Sequence, residues 1–152
     1  MPVKVVKMKD LANELKMLGQ VTIQKQKQAV GRAIVKAIPR LVRASPVDTG
    51  LYAQSWDFSI DEEKAILGNY APHAAVIEFG ARPFTPPIWP LLAWAKRVLK
   101  DGSQPPDYSP EVWSLAVGTQ KKIAANGMLP HHILENEIPR IIDDIKREMI
   151  KA

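Results

Sequence analysis

Between Ser45 and Pro87 the chain is broken by Ser45-Pro46, Asp48-Thr49-Gly50, Asn69, Pro72, Gly80 and the run Arg82-Pro83-Phe84-Thr85-Pro86-Pro87. No long helix can cross such a stretch. The residue before a proline is pushed out of the α region, an aspartate can bond to backbone amides two residues on, and glycine accepts positive φ. Between the breaks the apolar residues alternate. Trp56, Phe58 and Ile60, in line with Tyr52 and Gln54, define the buried face of a strand. Asp61-Glu62-Glu63-Lys64 reads as a polar turn and Ala65 to Gly68, ending at Asn69, as a return strand, so the middle of the chain predicts a β-hairpin. Ala71 to Phe79 could be helix or strand; without strict alternation it reads better as a short helix that Pro72 starts and Gly80 ends, and Pro83 to Pro87 reads as extended.

Helical spacing lies on both sides of this centre. Asp10 is a candidate N-cap for a helix with Leu11, Leu15 and Leu18 on one face, and Val30, Ile34, Ala37 and Leu41 resume the same period. Unbroken to Arg43, that helix would be about 50 Å long at ~1.5 Å per residue. Its segment Gln24-Lys25-Gln26-Lys27-Gln28 is polar all round, and Pro39 predicts a kink or an early end. Downstream, Ile88, Leu91, Leu92, Ala95, Val98 and Leu99, flanked by Trp89 and Trp94, mark a second helix that Pro86 or Pro87 starts. Asp101 to Pro110 is a loop. Val112, Trp113, Leu115, Ala116 and Ile123 mark a third helix, capped by Asn126-Gly127. Pro130 can open a last one carrying Ile133, Leu134, Ile138, Ile141, Ile142, Ile145, Met149 and Ile150, kinked near Pro139. The expected fold class is α+β: a long N-terminal helix, a small antiparallel sheet, and C-terminal helices packed on it. The length of 152 residues suits one domain, residues 1–152, with residues 1–43 as a basic helical arm.

The charge is unevenly placed. Of 21 Lys/Arg residues, ten lie in residues 1–43 against Asp10 and Glu14 alone, while the remainder of the chain is mildly acidic. A basic arm on an acidic body suits an acidic partner, either nucleic acid or the acidic face of another subunit, or else a solvated helix face. Lys16, Lys25, Lys27, Arg32 and Lys36 are the candidate interface or phosphate contacts. There is no cysteine, so disulfides, thiolate metal sites and cysteine nucleophiles are excluded. No apolar run approaches the roughly 18 residues of a membrane span, and a soluble, untargeted chain is expected.

Three patterns could carry chemistry. Asp48-Thr49-Gly50 matches the aspartic protease triplet, but it follows a helix and Ser-Pro rather than an apolar strand, and no second copy exists to share the proton. His131, His132 and Glu135 include a pair four apart on one helix face, too few ligands for a metal site, and read as surface residues at a helix start. The polar run at residues 24–28 has no interleaved aromatics, which leaves sequence-specific DNA reading unsupported. Of the four tryptophans, Trp56, Trp89, Trp94 and Trp113, two could be interface anchors rather than core. No catalytic residue, metal or cofactor is expected.

Taken in order, Pro46-Val47-Asp48-Thr49-Gly50-Leu51, Ser55, Tyr70-Ala71, Val76-Ile77-Glu78-Phe79-Gly80 and Arg82-Pro83-Phe84 ahead of a helix resemble the tailed-phage neck and tail-completion family, the minor tail protein Z-like or head-tail connector proteins. Lys122-Ile123-Ala124-Ala125-Asn126-Gly127, followed by Pro130 and a terminal helix, is similar to the end of its longer members. Ala81 stands where that family commonly has threonine. The resemblance implies a non-enzymatic structural protein of the virion, at the head-tail junction or tail end, acting in tail completion and head-tail joining as part of a homo-oligomeric ring. Its implied partners are other neck or tail proteins (connector, terminator or tube), with non-specific contact to passing DNA and no membrane. Its implied place is the virion neck or tail, assembled in the host cytoplasm. Asp48, Thr49, Gly50, Tyr70, Glu78, Gly80, Pro83 and Phe84 would be structural, namely turn formers, a carboxylate tying the turn to the sheet, and an aromatic plug. The competing expectation is a DNA-associated binding module using the basic N-terminal helix.

Overall fold

A computed structural model of the chain describes residues 4–7, 23–61 and 63–151. The expected cap at Asp10, the leucine stripe at Leu11, Leu15 and Leu18, and Lys16 lie outside the described residues. The fold class is α+β. In chain order the elements are β1 (Lys4–Lys7), α1 (Ile23–Ala44), α2 (Leu51–Gln54), β2 (Trp56–Ile60), β3 (Lys64–Asn69), α3 (Ala74–Phe79), α4 (Ile88–Leu99), α5 (Pro110–Asn126) and α6 (Ile133–Ile150). The sheet is antiparallel throughout in the order β1-β3-β2, with Val5 opposite Ile66 and Phe58 opposite Leu67. No described helix is long and apolar enough to cross a membrane.

These elements form two compact units. One holds the described residues through Glu78 together with those from His132 on; the other is Phe79–His131. Where the sequence reads as a single domain of 152 residues, the apolar side chains fall into two separate clusters. In the first unit α1 contributes Ala29, Val30, Ala33, Ile34, Ala37 and Leu41, a stripe three and four residues apart, to a core shared with Trp56, Ala65 and Leu67 of the sheet and with Ile133, Leu134, Ile141, Ile145 and Met149 of α6. Residues 29–41 of the expected arm thus line this unit's core, and residues 4–7 are a sheet strand rather than helix. Burial of one face outweighs the basic composition of the other. Pro39 and Pro139 both sit inside their helices without ending them.

The hairpin is shorter than expected at its start. Leu51–Gln54 closes a helical turn instead of extending β2, with the Gln54 amide donating to the Gly50 carbonyl at 3.0 Å and Gly50 at φ 82°. The turn brings Tyr52 into the core, edge-on to Trp56 with ring centroids 5.6 Å apart. Trp56, Phe58 and Ile60 do line the inner face of β2. Asp61 makes the expected turn by accepting from the amides of Glu63 and Lys64, both at 2.8 Å.

The second unit is a pair of helices, α4 and α5, around Leu92, Ala95, Val112 and Ala116. Ser109 caps α5 by accepting from the Val112 amide, with Pro110 opening the helix. The connecting loop is organised by Asp101, whose carboxylate accepts from the Ser103 amide, the Ser103 hydroxyl and the Ser109 hydroxyl. Ala81 and Met128 pair as an antiparallel bridge. At φ 73°, Gly80 fits beside this bridge only without a side chain, since a Cβ there would lie 2.4 Å from the Met128 carbonyl oxygen. Gly80→Ala is therefore expected to cost at least ~2 kcal/mol in urea denaturation, from left-handed strain plus the backbone clash. Gly118→Ala, in a helix with open space around the position, should be neutral or stabilising by up to ~1 kcal/mol.

Candidate functional site

Glu78 is the best-defined polar group among the motif residues. It ends the buried face of α3 and is 1% exposed. Its carboxylate accepts from the Leu134 amide at 3.0 and 3.2 Å and from the Glu135 amide at 3.1 Å. Helix α6 has His132 as its N-cap, whose carbonyl accepts from the Asn136 amide at 3.0 Å. Leu134 and Glu135 are therefore the second and third helical residues, the two whose amides an N-cap side chain ordinarily serves. His132, at φ 49°, makes no such bond; its imidazole Nδ1 lies 2.8 Å from Glu135 Oε2. Glu78 supplies the cap from across the fold, and the His132 amide donates back to the Glu78 carbonyl at 3.2 Å. The sequence reading that Glu78 ties a turn to the sheet is corrected: it ties α3 to the start of α6, which opens at Ile133 and not at Pro130.

A second set of buried polar contacts surrounds the hairpin. Asn69, 1% exposed, donates to the Tyr52 carbonyl at 2.7 Å and accepts from the Ala71 amide at 3.0 Å. The Trp56 indole donates to Ser45 Oγ at 2.9 Å, and that hydroxyl donates to the Leu41 carbonyl at 2.7 Å. Each buried group thus has a partner, as burial requires. Burial, and then the field of Glu78, push the Tyr52 hydroxyl up to about 12. Asn69 and Ser45 carry no sequence signal beyond their turn-forming identity.

The third feature is a charged seam between α1 and α6. Glu148 accepts from Arg32 Nε at 2.8 Å and Lys36 Nζ at 2.5 Å, with Lys151 at 3.5 Å. Arg40 reaches Glu137 at 2.8 Å and Asp144 at 2.9 Å, and Arg140 adds 3.3 Å to Glu137. Glu137 and Glu148 are buried. Hydrogen bonds from Lys36 and then Arg32 hold the Glu148 carboxyl down at about 2. The signal for this seam was in the sequence as Arg32, Lys36 and Arg40 at four-residue steps and Glu137, Asp144 and Glu148 at seven and four. Which stripe faces which is a matter of tertiary packing.

The remaining motif residues do different work. Asp48 and Thr49 are exposed, and Thr49 Oγ1 accepts from the Leu51 amide at 3.5 Å. Tyr70 is exposed, its amide donating to the Ser55 carbonyl at 2.9 Å. Phe84 is 43% exposed. Pro83 is exposed; a Cβ at Gly127 would lie 3.0 Å from its nitrogen, so Gly127 and Pro83 are in close approach. Of the candidate cationic contacts, Arg32 and Lys36 belong to the seam, Lys25 is exposed, and Lys27 lies near Asp61, whose pKa is lowered first by the Glu63 and Lys64 amides. Among the described residues no group of three His, Asp or Glu side chains is placed to hold a metal ion. Compared with protein-family models, with curated proteins and with solved structures, the chain matches none.

Two predictions come from this geometry. Glu78→Ala removes the acceptor from two amides at a buried helix end and should cost about 2–4 kcal/mol in urea denaturation. Glu78→Gln, which keeps one carbonyl acceptor, should cost less. For Glu148, the folded value of about 2 lies below the ordinary 4.5. The contribution of Glu148 is thus complete above pH ~4.5 and is lost as pH falls toward ~2. Thermal melts should show Tm falling through that window. Glu148→Gln should lower Tm at pH 7, and its deficit against the parent should shrink toward pH 2.

Proposed function

We propose that the chain is a non-enzymatic structural protein of a tailed-phage virion or prophage, placed at the head-tail junction or tail end and acting as one member of a ring. The observation that carries this reading is the use made of the motif residues on which the resemblance rests. Glu78 caps α6, Gly50 and Gly80 take positive φ, and Gly80 admits the Met128 backbone. The motif is occupied in holding a framework together, which is what a building block requires of it. A ring built by head-to-tail contacts also needs two different surfaces on each copy. Each unit offers exposed apolar side chains for such contacts: Ile23, Val35 and Val42 along α1 in one, and Phe84, Trp89 and Trp113 in the other. Trp89 and Trp113 are in ring contact at 6.4 Å and are 58% and 37% exposed, the type of side chain that anchors interfaces.

Part of the basic charge, Arg32, Lys36 and Arg40, is paired within the chain along the α1–α6 seam. That weighs against the DNA-binding alternative, because Arg32, Lys36 and Arg40 are already held by carboxylates. Light scattering on the purified protein across concentration and salt, with electron micrographs of the same samples, tests the assembly reading. Closed rings of uniform diameter are the expected result. A monomer under every condition, together with DNA binding that weakens steeply as salt rises, would favour the alternative.

A further inference from the structure

The chain leaves the α/β unit after Glu78 and re-enters it at His132. Those two residues are already joined, the His132 amide donating to the Glu78 carbonyl at 3.2 Å and the Glu78 carboxylate lying on the next amides of α6. The intervening segment is closed on its own side as well. Ala81 and Met128 exchange both backbone hydrogen bonds at 2.9 Å, and Gly80 and Gly127 adopt positive φ so that the two crossing strands can lie against each other. The cores are separate in the same way. Among the described residues, seventeen buried apolar side chains with five partly buried ones against them serve the α/β unit, whereas the segment has four, Leu92, Ala95, Val112 and Ala116, with five partly buried ones against them. Two of those four are alanines, which bury little area, so the segment's closed state is held by much less apolar burial than the unit that carries it.

From these features we infer that Phe79–His131 is an inserted helical module that opens and recloses while the α/β unit stays folded. Local opening of this kind follows from a small core and from backbone bonds that close each unit at its own ends. In an assembling protein it provides one part able to remodel against a neighbour, carried on a part that keeps its shape. The inference rests on the two cores and the crossing strands, not on the virion reading, so the two stand or fall separately.

Native-state hydrogen exchange on the full chain, resolved by segment and followed at low denaturant concentrations, tests it with Leu92→Ala and Leu41→Ala. In the parent protein the amides of α4 and α5 should exchange faster than those of α1, β3 and α6. Leu92→Ala should accelerate α4 and α5 by at least ~30-fold and leave α1, β3 and α6 unchanged, the size expected for a buried leucine truncation. Leu41→Ala should do the reverse, accelerating α1 and α6 only. If Leu92→Ala prevents the module from closing at all, α4 and α5 lose protection while α1 and α6 keep theirs, which also supports the inference. Equal acceleration of every helix by either variant, or loss of protection throughout the chain, would overturn it.

Discussion

A helix that starts inside a folded unit leaves amides in need of acceptors, and in α6 that need is met by a single carboxylate 56 residues upstream. Glu78 is buried, and a buried carboxylate is costly unless its oxygens are bonded. The helix end and the acid each lack a local partner, and each resolves the other's deficit. The positive end of the α6 dipole adds to the attraction. The consequence reaches beyond the contact itself. By fixing where α6 begins, the Glu78 cap sets which residues α6 presents to α1, and so which acidic side chains meet Arg32, Lys36 and Arg40.

The seam that results is more than a set of surface ion pairs. Exposed pairs contribute little, since water and side-chain entropy cancel most of the attraction. Here Glu137 and Glu148 are largely withdrawn from water, and each has more than one cationic partner. Removing one partner would leave a buried charge under-compensated, so the seam acts as a register device: a one-turn slip of α6 along α1 would separate the pairs and misalign the apolar stripes together. Specificity of pairing is the best-attested use of such buried charge.

The second unit follows a different economy. Its small core leaves Phe84, Trp89 and Trp113 exposed, and its loop is held by the hydroxyls around Asp101 together with Tyr108, which packs against that core. Trp89 and Trp113 touch each other with ring centroids 6.4 Å apart and remain partly in water beside this small core. With the firm α/β unit this gives a protein whose parts differ in how much they can change shape, a property that suits the assembly role proposed from its motifs.

Local chemistry in the sequence determined a good deal. The periodic stripes of α1, α4, α5 and α6, the β2–β3 hairpin with its Asp61 turn, the short helix before Gly80, and the need for glycine at Gly50 all depend on residues close together in the chain, where spacing and backbone preference decide the outcome. Tertiary structure alone decided the rest. Leu51–Gln54 alternates like a strand yet closes as a helical turn, because Tyr52 gains a place in the core beside Trp56. β1 is a strand because β3 offers it an edge. Pro130 looks like a helix start, yet α6 opens at Ile133, where Glu78 can reach the free amides. Arg32 and Lys36 of α1 read as contacts for a partner, and with Arg40 they meet the acidic stripe of α6. Each of these outcomes turns on an acceptor, a partner strand or a counter-charge supplied from dozens of residues away, and no local pattern encodes which distant group will arrive.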